Sequence, residues 1–63
     1  MPFPSPPLSL PALLSEIELC GAYIASRVDR GAYVEALAQL TVTERQIAEV
    51  RRRLHEMAAA VAA

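Results

Sequence analysis

Residues 28–40, VDRGAYVEALAQL, decide how this chain folds. Asp29-Arg30-Gly31 reads as a turn: Gly31 takes the positive φ that ends a helix, and Asp29 bonds its neighbours' amides. From Ala32 to Ala62 there is neither glycine nor proline, which predicts a second helix over about 32–62. Ile47, Val50, Leu54, Met57 and Val61 step by three and four, as in a coiled-coil seam. The same frame runs back through Leu40, Ala36 and Tyr33, with polar Thr43 as its one gap. A break at 41–43 is the alternative to a continuous helix. Thr41 with Glu44, or Thr43 with Gln46, has capping-box spacing, and two β-branched threonines around Val42 weaken a helix locally.

Upstream of the turn, Leu10, Leu13, Leu14, Ile17, Cys20, Ile24 and Val28 lie on one face of a helix, predicted over about 10–28. Ser9 is its N-cap, and Pro11 fits the first turn, where amides lack intrahelical partners. Glu16 and Glu18 are expected to favour the positive end of the helix dipole. Gly21, which costs about 1 kcal/mol relative to alanine in a helix, is expected to admit the second helix closely. The first eleven residues hold all five prolines. Proline fixes φ and removes an amide donor, so residues 1–9 are expected to form an extended arm. The fold class is therefore all-α: an antiparallel helical hairpin over 10–63 behind a Pro-rich arm over 1–9.

Composition narrows the function. A chain of 63 residues is marginal on its own, because about 60 residues bury only ~60% of their unfolded surface. Small chains add disulfides, a metal or a partner. Cys20 is the only cysteine and His55 the only histidine, so neither an internal disulfide nor a four-ligand zinc site is expected. Cys20 sits on the apolar seam, far along the chain from His55, and reads as a small core residue. His55-Glu56 is half of a zincin motif without its second histidine. Two helices make no shielded cleft for paired carboxylates, and no glycine-rich phosphate loop is present. The reading is a non-enzyme with no cofactor and no small-molecule substrate.

A net charge of −1 supplies no attraction to nucleic acid or anionic membrane. Arg51-Arg52-Arg53 fan around the helix, and Glu49 and Glu56 stand three and four positions away, the ladder of a solvated face. No segment approaches the ~20 apolar residues of a membrane span, and no signal-peptide pattern opens the chain; the expected location is cytoplasmic. All six basic residues are arginines, in keeping with the GC-rich genome of a bacterium or its phage.

Pairing the two seams about residue 30 sets Ile24 against Ala36 and Leu37, Cys20 against Leu40, Leu13 or Leu14 against Ile47, and Leu10 near Val50. Helix 1 ends there. Helix 2 continues for about 12 residues, near 18 Å at 1.5 Å per residue. Each large side chain left in water forgoes about 1.5–3 kcal/mol. Three covers suit this overhang: the arm folding back with Phe3 and Leu8, a second copy forming a four-helix bundle, or another protein's groove. The protein-binding stripe is read as Val50, Leu54, Met57 and Val61, with Phe3 and Leu8 next and Arg51 and Arg52 as rim contacts.

The Ala-rich first helix, the Arg30-Gly31 turn and the long second helix resemble the small co-chaperones of type III secretion needle subunits. The likeness covers about two-thirds of the chain, and the Pro-rich arm departs from it. It implies a helical hairpin that joins a second chaperone in holding a needle protein before export. The function expected from the sequence is thus an oligomeric accessory subunit or assembly factor, a chaperone-like protein binding another chain through its C-terminal helix. The alternative is a homodimeric four-helix bundle offering Arg45, Arg51, Arg52 and Arg53 to nucleic acid.

Overall fold

The structure, a computed structural model, describes residues 8–62. It is a two-helix hairpin, α1 from Leu10 to Asp29 and α2 from Tyr33 to Ala62, and no strand occurs among the described residues. The all-α hairpin expected from the sequence is what forms. Most of the Pro-rich arm, including Phe3, lies outside the described residues. Its last two residues, Leu8 and Ser9, lead into α1.

Local chemistry sets each boundary. Ser9 is extended, at φ −64° and ψ 160°, and its Oγ accepts a hydrogen bond from the Ala12 amide at 3.3 Å. Its carbonyl accepts the Leu13 amide at 2.9 Å, and Pro11 follows where no donor is needed. At the other end Gly31 stands at φ 73°. The Gly31 amide donates to the Val28 carbonyl at 3.0 Å and the Ala32 amide to the Arg27 carbonyl at 2.8 Å. That pair of bonds is a Schellman motif, which satisfies the last carbonyls of α1 and reverses the chain. The dipole expectation for α1 fails. Its first turn contains no acidic residue, because Glu16 and Glu18 lie beyond the turn over which the dipole acts.

Helix α2 is continuous through 41–43. Neither threonine caps a new helix. Thr41 Oγ1 donates back to the Leu37 carbonyl at 3.2 Å and Thr43 Oγ1 to the Gln39 carbonyl at 2.9 Å. This bonding to the preceding turn satisfies both hydroxyls inside a helix.

The two helices meet along a line different from the one the sequence suggests. On α2 the buried residues are Ala36, Thr43 and Val50, spaced by seven. Gln39, Gln46 and Arg53 flank that line on one side and are half-buried, whereas Leu40, Ile47 and Leu54 flank it on the other and are exposed. Relative to the expected seam, α2 is turned about its axis by roughly a sixth of a turn. Thr43, the supposed gap, is the most buried of these residues, with 6% of its surface exposed. Small side chains at 36 and 43 let the helices approach, and α1 answers with buried Leu13 and half-buried Leu10, Ile17, Cys20 and Ile24. Gly21 plays no part in that approach: a Cβ built there meets nothing within 4 Å.

Candidate interaction surface

The rotation of α2 gives the hairpin two unlike faces. One carries the polar bonds between the helices. Cys20 sits between two glutamines, accepting from Gln39 Nε2 at 3.0 Å and donating to Gln46 Oε1 at 3.5 Å. Gln46 Nε2 donates in turn to Glu16 at 3.0 Å. Nearer the turn, Arg27 lies over the Tyr23 ring, 4.8 Å from its centroid, and reaches Glu35 at 3.4 Å. At the far end an Arg53 guanidinium nitrogen donates to the Leu8 carbonyl. Cys20 thus has amides for polar neighbours, and Gln46 rather than Leu40 stands against it. The aliphatic partner expected from the sequence is displaced by the turn of α2.

The opposite face is apolar and open. Ile24 and Val28 of α1 and Tyr33, Ala36, Leu37 and Leu40 of α2 line a shallow groove beside the turn. Farther along α2, Ile47, Val50, Leu54 and Ala58 continue it, edged by Arg51 and His55. Tyr33 is 62% and Leu37 63% exposed, high values for side chains of that size. Tyr33, Leu40, Ile47, Leu54 and Val61 form a single line of period seven, which the sequence reading assigned to α1 and the structure turns away from it.

The residues read as a binding stripe divide accordingly. Val50 is inside the hairpin, 7% exposed, because the N-terminal end of α1 reaches it. Leu54, Met57 and Val61 are exposed, as is every residue from 54 to 62. That unaccompanied stretch is about 13 Å long at 1.5 Å per residue, somewhat shorter than expected because the chain before α1 extends the contact to Arg53. Leu8 is exposed, and its backbone carbonyl is bonded to Arg53 of α2. Phe3 lies outside the described residues. Sequence reasoning missed Tyr33, Leu37, Leu40 and Ile47 as surface residues; the seven-residue spacing of Tyr33, Leu40 and Ile47 was visible, but not which side of α2 would face α1.

The arginines form the ladder their spacing implies. Arg52 bonds Glu49 at 2.7 Å and Glu56 at 2.7 Å, and Arg53 bonds Glu49 at 2.8 Å. Hydrogen bonds from Arg52 and then Arg53 lower the Glu49 carboxyl from 4.5 to about 2, and Arg52 is held protonated more firmly still. Arg51, on the other side of the helix, edges the apolar face. Among the described residues no three His, Cys, Asp or Glu side chains converge as metal ligands, and no helix is long and apolar enough to cross a membrane.

No family model matches this chain, and no curated protein or solved structure does either. The surface therefore speaks through its chemistry alone.

Proposed function

We propose that this chain is a non-catalytic protein-interaction subunit, an accessory or assembly factor in the manner of a small co-chaperone. It docks on protein through the apolar face of the hairpin and the free end of α2. The observation that carries the reading is the run Leu54–Ala62, exposed throughout, continuing an apolar groove that begins at the turn. Each large aliphatic side chain there gains about 1.5–3 kcal/mol when covered, a substantial share of a small domain's stability. Arg51 and Arg52 serve as rim contacts. A role without catalysis agrees with the setting of Cys20, whose polar neighbours are two glutamine amides rather than a base. A cytoplasmic setting agrees with a single cysteine kept as a thiol. The nucleic-acid alternative has less support, since Arg52 and Arg53 are already engaged by Glu49 and Glu56.

The test is Leu54→Asp combined with Met57→Asp. Association should be lost, while circular dichroism of the dilute chain keeps its helical content. A monomeric wild type whose double variant unfolds would make these side chains internal core and end the proposal.

A further inference from the structure

We infer that the occupant of the apolar face is a second copy of this chain, paired antiparallel along α2 about a two-fold axis at Ile47; this rests on the docking reading above. The line Tyr33, Leu40, Ile47, Leu54, Val61 keeps the period of seven that holds side chains against a neighbouring helix, and it is symmetric about its middle member. Antiparallel pairing centred on Ile47 sets Leu40 against Leu54 of the second copy and Tyr33 against its Val61. The overhang of each copy then lies in the turn-end groove of the other, between Val28, Leu37 and Leu40. Two features left open in the single chain fill one another, twice over. A parallel pairing would instead lay overhang on overhang and groove on groove, so that neither feature fills the other.

Charge fixes the same register. Leu37, Glu44, Arg51 and Ala58 form the next line of period seven, at the edge of the apolar face. In the antiparallel pair this line meets its own copy, which brings Glu44 beside Arg51 and Leu37 beside Ala58 on each side of the axis. The area agrees as well. Fully covered, the exposed parts of the large side chains on this face and the overhang would bury at most an area on the order of 800 Å² per copy, the size one partner contributes to a stable interface. The product is a four-helix bundle closed by two-fold symmetry.

The experiment uses the full chain with Cys20→Ser, carrying a nitroxide at Ala48→Cys or at Ala59→Cys, both exposed positions. Sedimentation equilibrium should give twice the 6.8 kDa chain mass. Dipolar spectroscopy should find the labels at 48 offset along the axis by only about 3 Å and those at 59 by about 36 Å. Glu44→Arg should raise the dimer Kd roughly 3- to 30-fold, because both copies of the contact are reversed, and adding Arg51→Glu should restore it. Equal distances at 48 and 59, or a double charge variant as weak as the single one, would overturn this pairing. A wild type that stays monomeric overturns the second copy; if Leu54→Asp/Met57→Asp is then still as helical as wild type, the docking reading stands, and if it unfolds, both fall.

Discussion

Val50 and Leu54 stand one helical turn apart on α2, yet 7% of the first is exposed and 49% of the second. The boundary between the inside of the hairpin and its open surface runs between them. Among the described residues, the farthest bond along α2 made by the chain entering α1 is the one from Arg53 to the Leu8 carbonyl. Beyond that point the described residues of α2 are exposed and bond only within α2 itself, as Glu56 does with Arg52.

The same boundary divides leucines on α1. Leu13 is 7% exposed and Leu19 70%. Leu13→Ala should cost about 2–3 kcal/mol, the low end for a buried leucine because so thin a core relaxes around the cavity. Leu19→Ala should stay within about 0.5 kcal/mol of wild type. Urea titration followed by circular dichroism measures both, and equal costs would show that the hairpin packs through a different face.

The two glycines should respond in opposite directions. Neither has an atom within 4 Å of a built Cβ, so sterics with neighbours do not enter. Gly31 sits at φ 73°, where a Cβ costs about 1–2 kcal/mol, and Gly31→Ala should destabilise by that amount. Gly21 lies inside α1, where alanine is better by about 1 kcal/mol, and Gly21→Ala should raise the melting temperature of the dilute chain.

Thr43→Val should be neutral or stabilising by up to about 1 kcal/mol. The hydroxyl bonds a carbonyl of the preceding turn, so its loss strands no buried donor, and the methyl gained lies in the contact line between the helices. A loss above about 1 kcal/mol would mean that the hydroxyl organises the polar face beyond its own bond.

Acid should loosen the charge ladder on α2. Glu49 has its carboxyl lowered from 4.5 to about 2 by Arg52 and Arg53. A group whose folded pKa lies below the unfolded one stabilises above the unfolded value, and that contribution fades as pH falls towards the folded value. The window is therefore pH 4.5 to 2. Because the ladder faces water, the effect should be small and should shrink in high salt. Thermal melts of wild type and Glu49→Gln should differ in slope across that window and nowhere above it; parallel curves would remove the ladder from the stability of α2.

The pattern of residues alone determined that this chain is two helices joined at Asp29-Arg30-Gly31, with Ser9 as cap. Those features depend on local chemistry: a left-handed glycine, a hydroxyl three residues from an amide, a run free of glycine and proline. The Glu49, Arg52, Arg53 and Glu56 ladder was legible for the same reason, since each bonded pair in it lies about one turn apart. The side of α2 that faces α1 was decided only in three dimensions. Apolar spacing marks an arc of the helix about two lines wide, Ala36-Thr43-Val50 and Leu40-Ile47-Leu54, and either line satisfies it. Small side chains that allow close approach, and glutamines that find partners in Cys20 and Glu16, selected the first. The bulkier second line was left facing outward.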